Sequence, residues 1–433
     1  AYCSIAGVCV MSMTPPRLAV AIYLTLSIAA AGCSVPGGDM SSPIEPETAC
    51  DLAREKAATN PPFFAATTSW NVPVACLDDR ADSSRWAHNW FNSATYLGRI
   101  DPTQRGAIDI AFDEYSTPIY NAAEATGNHR FFLTWWGHGD NLGAERTIPW
   151  NPAWRPAPGN DGEMLIVDHT TGREWGLWGV QPVNWSGCLT IGNLLAGYQP
   201  GVDICASMVT VAREPDGSFS DFRTSSGTSD GWGRGMGAIH GLALLPTLDE
   251  IENGSINHAL NMETYGSMFG PACTPAQMAT SAAGVSCGFA TAPATRLEWF
   301  DGPAQYCGPV AQQNTDAARA QTVPPGMRFA LNLTDTQIEA WLDNRGYSGP
   351  KRSTARIFAV ALRDFGWIIS DTSCWGSSIA VDGVANPASS ARWAALGIID
   401  HDQSEGRLLD GLITSASQVR AIEPPSPTPV LNR

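Results

Sequence analysis

Glycine and proline interrupt this chain so often that few stretches can run as long helices: there are 42 glycines and 31 prolines among 433 residues. Glycine suits turns with left-handed backbone, and proline lacks the amide donor that a helix interior needs. Between the breaks lie short β-type runs at 130–136, 163–168, 174–180, 206–212, 256–262 and 366–370. Helical patterns are sparse. Asp101 caps a candidate helix from Pro102 to Tyr115. A second runs from Asp335 to Asn344 and stops at Gly346, and a third spans Thr354 to Asp364 with an apolar face around Phe358 and Leu362. Thr247 and Glu250 form a capping box over Leu248–Glu252. No strand–helix alternation and no repeat is evident. The expected fold class is therefore mainly β, an antiparallel β-sandwich or jelly roll with a few peripheral helices.

The N-terminus reads as an export signal. From Met11 the chain carries Arg17, an apolar run from Leu18 to Ile28, and then Ala29, Ala30, Ala31 and Gly32 before Cys33. The run is short for a membrane span. Ala30-Ala31-Gly32-Cys33 resembles the bacterial lipobox, in which the cysteine thiol is lipidated; ordinary cleavage with Cys33 a bystander is the alternative. The expected organisation is a signal peptide over 1–32 with an upstream extension before Met11, lipidated Cys33 with a flexible tether over 33–65, a single β-rich domain over 66–420, and a Pro-rich tail over 421–433.

Export makes cystines the natural reading of the eight cysteines beyond Cys33. Nearest-neighbour pairing gives Cys50–Cys76, Cys188–Cys205, Cys273–Cys287 and Cys307–Cys374. Zinc competes, but no CxxC or HExxH spacing occurs, so no metal or cofactor is expected. The formal net charge of −16 disfavours nucleic acid and anionic membrane surfaces as partners. The only membrane contact expected is the lipid anchor, with an extracytoplasmic, membrane-anchored location.

The clearest local unit is a hairpin, Glu163 to Asp168 and Arg173 to Val180, around a four-residue turn. Pairing Asp168 with Arg173 sets Val167 opposite Glu174, and puts Glu163, Glu174 and Trp178 on one face. Tryptophan beside carboxylates is what a sugar subsite needs: the indole stacks on C–H faces and the carboxylates handle protons. Glu163 and Glu174 stand four residues apart along the sheet, roughly 13 Å, too far for a glycosidase pair at about 5 to 9.5 Å. An Asp168–Arg173 salt bridge is the plain alternative. Gly227-Thr-Ser229-Asp-Gly231 matches the GxSxG nucleophile pattern, but no helix follows it. His240 follows a glycine-rich stretch, and His258 alternates with Ile256 and Leu260; each is a candidate base or a core residue. His138 and Asp140 suit a polar, aromatic loop but are too few for a metal.

Segments 69–73 (SWNVP), 115–120 (YSTPIY), 156–168 (PAPGNDGEMLIVD), 254–260 (GSINHAL) and 361–371 (ALRDFGWIISD) resemble a group of exported bacterial proteins, frequent in actinobacteria. The resemblance covers roughly residues 69 to 400 and implies export and one integral domain. It implies no activity, so no catalytic residue follows from it. The cysteine content departs from the sparse usage of that group.

Together these features lead to the expectation of a surface-anchored lipoprotein acting on polysaccharide or cell-wall glycan, as a glycoside hydrolase or polysaccharide lyase. Asp168, Glu174 and His258 are the acid/base candidates, and Trp178, Trp185 and Trp232 the stacking candidates, each with core packing as its alternative. A non-catalytic glycan-binding or adhesion lipoprotein is the second reading. A serine hydrolase using Ser229 is the third.

Overall fold

The computed structural model describes residues 46–94, 102–181, 186–214, 216–227, 232–233, 235, 237–297, 315–373, 376–399, 406–423 and 427–428. Cys33, Trp185, Ser229, Cys307 and Cys374 lie outside them.

The architecture follows from which strands are covered on both faces. A six-stranded sheet runs, in spatial order, Asp109–Ala111, Ser378–Ala380, Leu260–Thr264, Trp367–Thr372, Arg328–Leu331 and Val419–Ile422. Leu260–Thr264 and Trp367–Thr372 are parallel neighbours, as are Asp109–Ala111 and Ser378–Ala380. Apolar runs without alternation suit central strands of this kind, which are buried on both sides. Trp367 and Ile369 enter one apolar cluster, while Ile368 enters another on the opposite face. The first cluster is covered by helices Ser83–Ser93, Asp335–Asn344, Gly349–Asp364 and Pro387–Ala395, which contribute Trp90, Trp341, Phe358 and Trp393. Gly349–Asp364 is helical because Ala355, Phe358, Ala359 and Leu362 recur on one face and Pro350 sits in its first turn.

The second cluster joins this sheet to a five-stranded one ordered Ile119–Asn121, Met164–Asp168, Arg173–Trp178, Met208–Val211 and Gly139–Asp140. Leu165 and Val167 from the hairpin meet Ile368 and Ala380 from the large sheet, with the segment Ile239–Leu245 packed between them. The outer face of the hairpin sheet carries Ile166, Trp175 and Leu177. These pack with Phe131, Ile148 and Ile204 of a three-stranded sheet formed by Thr147–Trp150, Gly127–Leu133 and Ile204–Ala206.

The expected antiparallel β-sandwich is therefore corrected to a mixed α/β fold. Its central strands are parallel and helix-covered, and the sheets do not close on one another. Strand–helix alternation escapes the sequence because the pairing strands are separated by more than a hundred residues of short, broken elements. The candidate helix Pro102–Tyr115 is a single turn, Pro102–Gln104, followed by strand Asp109–Ala111. Residues Pro46–Ala58, inside the segment expected as a tether, form a helix bridged to the body by Cys50–Cys76. Cys188–Cys205 and Cys273–Cys287 pair as expected, and the capping box at Thr247 and Glu250 is present.

Two buried acids tie loops to the large sheet. Asp382 accepts from the Ile119 amide at 3.1 Å and the Ser389 hydroxyl at 3.1 Å, and burial pushes its carboxyl up to about 7. Burial likewise pushes Asp109 up to about 6. A raised carboxyl pKa means the folded state prefers the neutral acid. The associated stability is full below the unfolded value near 3.8 and is lost as pH rises through about 7. For Asp382 the span corresponds to roughly 4 kcal/mol. Thermal unfolding followed from pH 4 to 8 should show a midpoint that falls with rising pH, and Asp382→Asn should flatten that fall. Parallel pH profiles for the two proteins would contradict the assignment.

Candidate functional site

The site arises where a β-bulge breaks the parallel register. Leu260, Asn261 and Met262 pair with Trp367, Ile368 and Ile369, and then Glu263 pairs with Asp371, leaving Ser370 as the extra residue. In an unbroken register Ser370 would stand beside Glu263. A bulge re-aims a side chain, and here it sets two carboxylates side by side on adjacent strands. Both acids lie near the carboxyl ends of their strands, the end at which ligand crevices open in α/β sheets. On its other side Glu263 accepts from Ser378 Oγ at 2.9 Å, and Asp371 Oδ1 accepts from the Thr372 amide at 2.8 Å.

A cleft of about 290 Å³, open solvent included, lies over this pair. Glu263, Asp371, Ser370, Asn261, His240 and Gly235 line it, with Ile239 and Leu244 as an apolar wall. Asn261 fixes the floor by donating to the Leu244 and Ala380 carbonyls and accepting from the Ala380 amide. The glycine-rich loop forms the rim: the Gly237 amide donates to the Ser370 carbonyl at 3.0 Å. A Cβ at Gly235, whose φ is +67°, would stand 2.7 Å from that carbonyl oxygen and 2.8 Å from Asp371 Oδ2. Only glycine lets the loop lie this close to the acid.

His240 is held from below by Glu174. The Glu174 carboxylate accepts from the Gly241 and Leu242 amides at 2.9 Å each, and its Oε1 lies 4.0 Å from His240 Nδ1. Burial pushes the Glu174 carboxyl up; the neighbouring His240 and the two amides oppose that shift without cancelling it. The rings of Phe64 and Trp70 pack on the imidazole, with centroids 5.4 and 6.4 Å away.

Backbone strain gathers at the same place. Among the described residues, Phe64, Tyr115 and Ala238 are the non-glycine positions with positive φ. Phe64 touches His240, and Ala238 lies in the rim loop. The Tyr115 hydroxyl is raised first by burial and then by Asp161, Glu114 and Glu263, which places it within electrostatic reach of the acid pair. Left-handed non-glycine residues are costly and cluster at functional sites.

The three acid/base candidates from the sequence do not meet. Asp168 sits at the hairpin turn, where slight burial raises its carboxyl but bonds from Thr171 and Thr170 outweigh this and hold it low. Arg173 pairs with Glu145, so the Asp168–Arg173 bridge weighed as the plain alternative does not form either. Glu174 lies beneath the cleft rather than in it. His258 is fully enclosed, 3.2 Å from Glu250; burial pulls its pKa down, and the Glu250 charge and hydrogen bonds raise it on balance. Trp178 and Trp232 each lie beside the segment 138–139. Trp178 stands edge-on to His138 at 5.1 Å, and Trp232 packs on Gly139. Glu263, Asp371 and Ser370 went unnoticed, although the motif ending at Asp371 was the available signal.

Among the described residues no group of three His, Cys, Asp or Glu side chains is placed to hold a metal. Comparison of the chain with protein-family models, curated proteins and solved structures gives no match.

Because the Gly241 and Leu242 amides depend on one carboxylate, Glu174→Ala should cost about 3 kcal/mol, the penalty of leaving two buried donors unpaired. Urea unfolding midpoints measure this. A loss below about 1 kcal/mol would mean other contacts hold the segment.

Proposed function

We propose that this protein is a glycoside hydrolase in which Glu263 and Asp371 act as the acid/base and nucleophile pair. The supporting observation is their register pairing at the mouth of a cleft. Paired positions on neighbouring strands are separated by about 4.8 Å, and the carboxyl groups of retaining glycosidases stand about 5 to 5.5 Å apart. If the carboxyl groups keep that backbone spacing, no water fits between them, and the reaction proceeds through a glycosyl-enzyme intermediate with net retention. One acid protonates the departing oxygen while the other attacks the anomeric carbon. The first then takes a proton from the water that releases the sugar. Trp232 lies three residues before Gly235, within about 10 Å of the rim, and is the candidate platform for a neighbouring ring.

Glu263→Gln and Asp371→Asn should each lower turnover on a panel of aryl glycosides and cell-wall oligosaccharides by about 10³-fold, with the fold intact by circular dichroism. Asp168→Asn should leave turnover unchanged. Proton NMR of the first-formed product should show the substrate's anomeric configuration. Full activity in both acid variants would remove the assignment, and binding without turnover in the native chain would favour the glycan-binding reading.

We further propose that the protein works outside the cytoplasm, anchored through lipidated Cys33. Its cystines support this location, since such bridges persist in oxidising compartments. Metabolic labelling with an alkynyl fatty acid should tag the native chain and fail to tag Cys33→Ala; equal labelling of both would overturn the anchor.

A further inference from the structure

Strongly exposed apolar side chains are concentrated at one place, far in sequence from the cleft acids. Leu189, Ile191, Leu194, Leu195 and Val202 project from segment 186–205, with Ile191 80% and Leu195 85% exposed. Trp135, 75% exposed, adjoins them, its amide donating to the Gly187 carbonyl at 3.1 Å. The segment is a fixed knob. Cys188–Cys205 closes its base, Asn193 Nδ2 donates to the Leu133 and Cys188 carbonyls, and Tyr198 packs on Phe132 at 5.1 Å. Apolar clusters of this kind on a protein surface mark interaction sites.

Two independent features indicate what covers it. The first is charge. In a chain of net charge −16, the only residue of 186–205 charged at neutral pH is Asp203, and Arg130 neutralises it at 2.7 Å. The second is internal pairing of most of the segment's amides, those of Ile191 and Gly192 at the helix start excepted. Thr190 Oγ1 caps the short helix Ile191–Leu195, and the amides of Leu194, Ala196, Gly197, Tyr198 and Val202 all donate within the segment. Hydrocarbon tolerates irregular backbone only when its polar groups are paired internally. We propose that this knob docks into the interface of a zwitterionic phospholipid bilayer. Ile191, Leu194 and Leu195 enter the acyl region and Trp135 lies at headgroup level, where tryptophan concentrates. The docking is separate from lipidation at Cys33 and orients the body against the membrane.

The full chain, with and without phosphatidylcholine vesicles, provides the test through hydrogen exchange of the 189–203 amides. Vesicles should slow exchange there several-fold. The effect should vanish in an Ile191→Asp/Leu195→Asp variant that retains the Cys188–Cys205 bridge and native circular dichroism. Because any N-terminal anchor is present in both proteins, the segment-specific readout isolates the knob. Brominated phosphatidylcholine should also quench an emission component that Trp135→Phe lacks. Exchange indifferent to vesicles, or unchanged protection in the double variant, overturns the proposal. Protection that grows with protein concentration in the absence of lipid overturns it in favour of a second copy of the chain.

Discussion

The arrangement around the cleft depends on one buried carboxylate. Glu174 belongs to the hairpin sheet, yet both its oxygens bind amides of the Ile239–Leu245 segment that packs against the large sheet. Without those bonds two amides would be dry and unpaired, and the segment carrying His240 would have no polar reason to lie in an apolar layer. The same carboxyl group lies 4.0 Å from His240 Nδ1, and His240 also lines the cleft. One residue thus fixes a layer contact and the electrostatic setting of a side chain in the site. This also explains why Glu174 is no candidate for proton transfer to a ligand: its lone pairs are committed beneath the cleft floor.

What the sequence made legible was local. The hairpin register came from the turn, since Asp168 accepts from the Thr170 and Thr171 amides and Gly172 takes φ +72°, and Val167 indeed faces Glu174. The Leu248–Glu252 cap and the Asp335–Asn344 helix were legible because their signals lie within four residues. The Pro102–Tyr115 expectation failed for an identifiable reason. Asp101 and Pro102 do mark a turn start, but Gly106 at φ +79° ends it, in a place where a Cβ would meet Phe91 at 2.6 Å. The amphipathic count could not register that contact, because the packing partner comes from another helix.

The site itself lay beyond the reach of spacing arguments. Glu263 and Asp371 are joined only by parallel pairing across the large sheet, and only a one-residue slip makes them neighbours. No periodicity within either strand encodes a bulge. The tryptophans misdirected attention for a related reason: Trp70, Trp86, Trp90, Trp367 and Trp393 are core residues, so tryptophan abundance mostly reports packing here rather than ligand contact. Segments that looked familiar as motifs nevertheless converge, with Asp161 and Glu263 both within electrostatic reach of Tyr115.

That convergence has a physical cost that argues for its use. Holding Tyr115 and Ala238 in left-handed backbone works against stability. A purely structural sheet edge would relax by placing Ser370 beside Glu263, which requires only that the bulge be absent. The fold instead retains the bulge. It braces the rim through the Gly237 amide on the Ser370 carbonyl and packs glycine against Asp371, where any side chain would displace the loop. Backbone strain retained together with a bulge at the mouth of a cleft is the pattern found at functional sites.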